Sequence, residues 1–280
     1  MFGRERIELK TPEQMLLMRR AGLVVADAHA AIRDRVVAGV TTAELDAVAA
    51  QVLADAGASS SFLGYHGYPA VLCVSVNDEV VHGIPGSRVL EPGDVVSADF
   101  GAIVDGWHGD AAFSMVVPGG SATGADDELV ATTEAAMWAG IAALATGDRL
   151  GSVGEAVEDA VDAAAERNGG ARLGIVEDYV GHGIGTQMHQ PPDVLNYRAR
   201  DRGPKLRPGM CLAIEPMIVR GDNATDVLDD DWTVVTRDGS RAAHWEHTVA
   251  IHEAGIWVLT STDGGAAALA ALGVEVAPLA

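Results

Sequence analysis

The chain has 280 residues, with 19 Lys and Arg against 40 Asp and Glu, a formal net charge of −21, 48% apolar residues and 21% charged ones. That composition supports a sizeable buried core and excludes wholesale disorder, and so negative a charge argues against nucleic acid (DNA included) or an anionic membrane as the main partner. Two cysteines, Cys73 and Cys211, are too few for a disulfide framework and point to a reducing, cytoplasmic setting.

Residues 1–20 alternate charges with Leu and Met, and no continuous run of about 18 apolar residues stands out, so neither a secretory signal nor a membrane-spanning helix is expected. Thr11-Pro12-Glu13 reads as a cap, a proline in the first turn and an acid behind it. It opens a helix through Leu16, Leu17, Ala21, Val24, Val25, Ala28 and Ile32. A second helix starts at Thr41 or Thr42 and stops at Gly57. Residues 70–77 and 94–104 are rich in Val, Ile and Ala and read as strands. Asp105-Gly106 signals a hairpin into a strand from 107 to about 117. Pro118 to Gly124 reads as a loop between two halves. Helices follow over 126–145 and 152–167, then strands over 175–180, 210–219, 232–237 and 245–252. The Gly/Ala-rich stretch 262–280 reads as a frayed or weakly docked tail.

The halves echo one another. Leu90-Glu91-Pro92-Gly93 is matched by Leu206-Arg207-Pro208-Gly209 at an offset of 116, and the same offset carries Asp99 onto Glu215. His82-Gly83-Ile84-Pro85 is echoed by His182-Gly183-Ile184-Gly185. If the repeat is real, the site lies between two similar halves.

A two-residue turn at Asp105-Gly106 sets Asp99 opposite Ala112 and Asp110 opposite Gly101, so both carboxylates share one face about 7–8 Å apart. Both strands are otherwise apolar. The alternative to a cation-binding pair is two solvated acids on an exposed hairpin face. Glu215 (in AIEPM) and Glu246 (in WEHT) repeat the pattern, where a single buried Glu could be a satisfied core residue. With His182 in the glycine-rich GHGIG turn, the set is two Asp, two Glu and one His. Such mostly hard-oxygen ligands suit two divalent ions of the Mn, Fe, Co or Zn type rather than one structural zinc, and two ions sharing a water is hydrolase chemistry.

HGIP at 82–85, DFG…HGD at 99–110, GHGIG…MH at 181–189, IEPM at 214–217 and WEHT at 245–248 occur in order. With these motifs the chain resembles the type I methionine aminopeptidases over about residues 10–253. The resemblance implies an α+β pita-bread fold: two pseudo-symmetric halves, a central antiparallel sheet and helices behind it. It implies a short extension at 1–10, one catalytic domain at 11–253 with halves of about 11–120 and 121–253, and a strand end and tail at 254–280. It implies that Asp99, Asp110, His182, Glu215 and Glu246 ligate two divalent metals (Co, Mn, Fe, Zn or Ni), with Asp110 and Glu246 bridging. His82 and His189 become catalytic groups that contact substrate. Phe62, Tyr65, Tyr68, Cys73, Met188 and Trp232 become the methionine pocket, and Asn77 marks a monovalent-cation position as in some relatives.

The expected reaction is removal of the N-terminal methionine from peptides and nascent chains, with a small second residue preferred. A hydroxide shared by the metals attacks the carbonyl, Glu215 takes the water proton, His189 hydrogen-bonds the oxyanion and His82 meets the scissile amide or the next residue. A monomer suits the family. The basic run Arg198, Arg200, Arg202, Lys205 and Arg207 is a candidate transient ribosome contact, against a solvated loop. Two departures stand out: Val81 and Phe62 sit where many members have Cys, and Gln190-Pro191 replaces an acidic residue after His189.

Of the other histidines, His29 reads as structural and His66 and His108 as lining the site. His244 and His247 read as packing on the strand face opposite Glu246, and His252 as surface. X-Pro aminopeptidases and dipeptidases share the ligands but usually carry an extra N-terminal domain and EPG at the Glu215 motif. Non-catalytic scaffold relatives lose ligands, and this chain keeps all five.

Overall fold

A computed structural model describes residues 6–120 and 124–279. Thr11 caps helix α1 (Pro12–Arg35) through a capping box with Gln14, and Thr41 caps α2 (Thr42–Ala56) through one with Glu44; Gly57 ends α2 in the left-handed region. The chain then lays down β1 (Ser59–Ser60), β2 (Cys73–Val76), β3 (Glu79–Val81), β4 (Val95–Val104) and β5 (Trp107–Val116). Asp105 and Gly106 both take positive φ, 50° and 80°, as a tight turn with right-handed strand twist requires. Helices α3 (Gly124–Thr146) and α4 (Gly151–Arg167) open the second half. Of the loop expected over 118–124, residues 121–123 lie outside the described residues.

The second half continues with β6 (Gly174–Ile175), β7 (Gly181–Gly183), β8 (Gln190–Val194), β9 (Cys211–Ile214), β10 (Met217–Val219), β11 (Thr225–Val227) and β12 (Val234–Thr236). Then come β13 (Ala242–His244), β14 (Glu246–His252), β15 (Gly255–Val258) and α5 (Ala266–Ala270). A nine-stranded sheet runs β1-β4-β5-β14-β9-β7-β8, with β2 also on β4 and β15 on β14. Two three-stranded sheets, β13-β10-β6 and β11-β12-β3, complete the strands, and the paired strands are antiparallel. Phe100, Ala111, Phe113, Leu212, Ile214 and Val249 point from the central sheet into the main core with Val25, Ile32, Met137 and Ile141 of α1 and α3. This is the α+β arrangement expected.

Four expectations need correction; the strand expected over 175–180 is only β6 (Gly174–Ile175), with bends after it. Helix α3 is, by length and composition, apolar enough to cross a bilayer, although no such segment is expected from the sequence. Its Leu129, Ala136, Met137, Ile141 and Leu144 are buried in the fold, because a helix packed on one side by α4 and on another by strands needs apolar residues around much of its girth. The strands expected over 210–219 and around 245 are broken at Glu215-Pro216 and at Trp245, where the chain passes between the central sheet and β13-β10-β6. The C-terminal stretch is docked rather than frayed. Leu269 is fully buried, Ala277 N–H donates to the Ile256 carbonyl, and the Ala277 carbonyl meets His252 Nε2 at 2.8 Å. Gly264 lies so close to Trp257 that a Cβ there would sit 2.2 Å from its ring.

Candidate metal centre

The hairpin register is the one a two-residue turn dictates: Asp99 faces Ala112 and Gly101 faces Asp110. Period two therefore puts Asp99, Asp110 and Ala112 on the side of the sheet away from Phe100, Ala111 and Phe113. Glu246 approaches the same Ala112 from β14. His247 pairs with Ile214, which brings their neighbours Glu246 and Glu215 opposite each other. A row of Asp99, Ala112, Glu246 and Glu215 thus crosses four strands, with Asp110 one pleat away, and the methyl group of Ala112 leaves its middle open. The hairpin carboxylates are not on a solvated face: Asp110 is 3% exposed, and Asp99 is half-buried with its Oδ1 shut away from solvent.

His182 reaches this face from β7, between two glycines that cannot be replaced in place. A Cβ at Gly181 would lie 2.4 Å from the Ala213 carbonyl oxygen, and one at Gly183 2.4 Å from that of Pro191. His182 Nδ1 donates to its neighbour's carbonyl at 3.0 Å, leaving Nε2 free, 3.2 Å from Glu215 Oε1. Asp110, His182 and Glu246 each present a ligand atom within 4.8 Å of the other two.

The electrostatics ask for cations. Asp99 Oδ1, Asp110 Oδ1 and Glu246 Oε1 are buried with no hydrogen-bond partner, a situation that costs several kcal/mol per ionised group unless a counter-charge is present. Burial pushes the Asp99 carboxyl up to about 7. Burial, and then the neighbouring carboxylates, push Asp110, Glu215 and Glu246 well above the ordinary range. His182 is driven down to about 3, by burial first, so its imidazole is neutral and able to ligate. Four hard oxygen donors, orphaned lone pairs and one neutral imidazole fit divalent metal ions.

The metal face opens into a cavity of about 320 Å³. Phe62, Tyr65, Tyr68, Cys73, Met188 and Trp232, with His82 and His189, all line it, so every residue expected in the methionine pocket is present. Phe62, Tyr68, Cys73 and Met188 form one buried cluster, with Tyr65 and Trp232 packed on it. Tyr68 turns its hydroxyl away to the carbonyls of Leu72 and Gly83, leaving the ring as an apolar wall. Cys73 sits directly across from Asp99, and burial keeps its thiol neutral by pushing its pKa well up. His189 meets His182 edge to face, ring centres 4.3 Å apart, while its Nδ1 meets the Tyr65 hydroxyl at 2.8 Å. His82 holds a left-handed φ of 59° and packs against Tyr179 and Trp232; burial lowers its pKa to about 4.

Residues that sequence reasoning missed also line the cavity, notably Tyr179, Met217 and His244. His244 was expected on the strand face opposite Glu246; it is on the same side, with Nε2 3.9 Å from Glu215 Oε2 and otherwise unpartnered. Two residues before Glu246, it obeys the same period of two, and counting back from the ligand would have found it. His66 lines the cavity as expected. His108 does not, and is held by the Ser61 hydroxyl at 2.9 Å. His29 is buried against Phe113 on the helix side, in a structural place. Asn77 spends its side chain inside the fold, on Asp94 and on the Val95 N–H. In the basic run, Arg198 pairs with Glu158 and Asp159, and Arg202 with Asp148.

A strand-borne carboxylate set at the head of such a cavity is the signature of a metallopeptidase, and the chain belongs to metallopeptidase family M24, whose model matches residues 16–253. The methionine aminopeptidase 1 of Mycobacterium tuberculosis is 50% identical over 92% of this chain and 96% of that protein, and the one of Bacillus subtilis 42% identical over 90% and 98%. A crystal structure of methionine aminopeptidase from Thermotoga maritima superposes with a TM-score of 0.86 at 38% identity, covering 91% of this chain and all of that one. Within the family the chain therefore stands with the type I methionine aminopeptidases and their pita-bread fold.

Proposed function

We propose that the protein removes the N-terminal methionine from peptides and nascent chains, preferring a small second residue. The observation that carries this is the meeting of five ligand-type side chains with an aromatic and sulfur-lined cavity of about 320 Å³. Asp99, Asp110, His182, Glu215 and Glu246 would hold two divalent cations, and the ligand atoms of Asp110, His182 and Glu246, within 4.8 Å of one another, support a shared metal position there. When bound, such a pair acidifies a shared water and supplies hydroxide at neutral pH. Mn, Fe, Co, Ni and Zn all accept this donor set.

The remaining chemistry belongs to the chain. Glu215 accepts the proton of the attacking water and passes it towards the leaving amine. If the Tyr65 hydroxyl donates to His189 Nδ1, the ring proton resides on Nε2, where it donates to the carbonyl oxygen as negative charge develops. Burial lowers the His82 pKa to about 4 and desolvation lowers that of His189, which favours neutral rings that donate a hydrogen bond without adding a competing cation. His82 engages the scissile amide nitrogen. Phe62, Tyr65, Tyr68, Cys73, Met188 and Trp232 receive the thioether, for which aromatic edges and a sulfur are favourable neighbours.

The catalytic unit takes in residues 11–253. A cytoplasmic setting follows from a nascent-chain substrate and from Cys73 and Cys211 being buried and unpaired. A transient ribosome contact would fall to Arg200, Lys205 and Arg207, since their neighbours are engaged in ion pairs; a monomeric state and a monovalent cation near Asn77 complete the reading.

The test is release of the first amino acid by metal-stripped protein reloaded separately with Mn, Co, Fe or Zn, offered Met-Ala-Ser, Leu-Ala-Ser, Met-Lys-Ser and Ala-Pro-Ser. Metal-dependent release from the first peptide alone is expected. Cleavage of Ala-Pro-Ser instead would move the protein to proline-specific hydrolysis. No release by protein that binds two ions would make it a non-catalytic relative.

A further inference from the structure

Residues just ahead of α1, read from the sequence as a mere extension, are built into the fold. The Lys10 N–H donates to the Gly209 carbonyl at 2.7 Å, and Lys10 is only 5% exposed. Its ammonium donates to Gln190 Oε1 and to the Glu8 carbonyl, each at 3.1 Å, and lies 3.6 Å from Glu8 Oε2. The Thr186 hydroxyl stands 3.2 Å from both Glu8 carboxylate oxygens, and Gln190 Nε2 donates to that same hydroxyl at 3.2 Å. Lys10, Gln190, Thr186 and Glu8 close a ring.

The ring has a defined cargo. Gly185 lies so tightly under the lysine stem that a Cβ there would be 2.3 Å from Lys10 Cε. Its carbonyl accepts from His108 N–H, and its own N–H donates to the Gln187 carbonyl. The clasp therefore grips both ends of the segment 185–190, and between them stand Met188 and His189. None of the four ring residues lines the cavity. A buried ammonium is expensive to desolvate, and burial lowers its pKa; an apolar side chain of equal length would fill the space more cheaply. What the ammonium adds is direction: fixed N–H donors that hold the Gln190 amide, and with it the turn, in one arrangement.

We infer that Lys10 is a positioning residue for His189, acting through Gln190 across the β7–β8 turn; the inference rests on the aminopeptidase reading. Lys10→Met should lower kcat for Met-Ala-Ser by about 10- to 100-fold, the scale of a misplaced catalytic group, with KM changed less than about twofold and two metals still bound. Gln190→Leu, at a partly exposed position where the fold is less at stake, should do the same. Gln190→Glu should keep activity, since a carboxylate accepts the same bond. Amide hydrogen exchange should quicken over 184–190 in Lys10→Met and not over 95–116.

A double-mutant cycle decides between positioning and general support. In a His189→Ala background, Lys10→Met should cost no more than about twofold further in kcat. An equal loss in both backgrounds, or an unchanged kcat in Lys10→Met and Gln190→Leu, would overturn the inference while leaving an active aminopeptidase. A wild-type protein that releases no methionine with any metal would instead fail the aminopeptidase reading, and this inference with it.

Discussion

The two halves supply the same chemistry on different backbones. In the first, Asp99 and Asp110 lie inside an unbroken hairpin of ten-residue strands joined by a tight turn. In the second, Glu215 follows the last residue of β9, where the chain leaves the central sheet for a smaller one, and Glu246 is the first of β14, where it returns. A short carboxylate serves where pairing fixes the backbone near the centre; a longer one serves where the strand is ending. The register of the first half is set locally by Asp105-Gly106, whereas that of the second depends on β14 being held between β5 and β9.

The sharpest way to break this symmetry is to remove one of the proposed metal-ligating carboxylates from each half. Asp110→Asn and Glu246→Gln should each reduce methionine release to the detection limit and lower the metal content below two per chain, read by activity with elemental analysis. If one variant kept both metals and full turnover, the equivalence of the halves would be lost. Next in size is His189→Ala, expected to lower kcat about 10²- to 10³-fold, as for loss of a donor to developing oxyanion charge. Tyr65→Phe should give a smaller drop in the same direction, because it frees the ring tautomer without removing the ring.

Metal removal turns the comparison into a pH experiment. In the metal-free protein the folded-state pKa of Asp99 is about 7, against about 4 in an unfolded chain, and the other three carboxyls are raised too. The folded state then binds protons more tightly than the unfolded one. The Asp99 contribution is fully present below about pH 4 and is lost as pH rises through about 7, and the other three act in the same direction. Thermal unfolding of stripped protein should show Tm falling over that window, less steeply in Asp99→Asn, with divalent metal reversing the trend. A flat profile would show that burial does not raise these carboxyls. The smallest effect on catalysis is expected from the docked tail: Leu269→Ala should lose about 2–5 kcal/mol of stability while kcat stays unchanged, checked by denaturant unfolding beside steady-state kinetics.

How much was legible follows from how local each signal is. Asp99 and Asp110 could be placed opposite Ala112 and Gly101 because two turn residues fix the whole hairpin. The capped helix starts at Thr11 and Thr41 were equally local. The breaks at Glu215-Pro216 and Trp245 were not, because an apolar stretch reads as one strand until its partners are known, and grouping His244 with His247, although it stands two residues from Glu246, put it on the wrong side. Ala/Gly composition at the C-terminus resembled fraying, yet small residues are what close approach to Trp257 demands. The long apolar helix α3 shows the converse: composition measures apolar girth and is silent on whether lipid or protein surrounds it.

Within the central sheet the halves are sewn together at β5 and β14 by two residue pairs, Glu246 with Ala112 and His247 with Ala111. The acids of Asp99 and Asp110 come from one side of that seam, and Glu215, Glu246 and His182 from the other. Cations gripped by all five would act as rivets, loading the joint just where its stitching is shortest. Ownership of the reaction is accordingly joint: a fragment released by cleavage between the halves would carry two acids at most, and neither half alone would hold the full set of ligands.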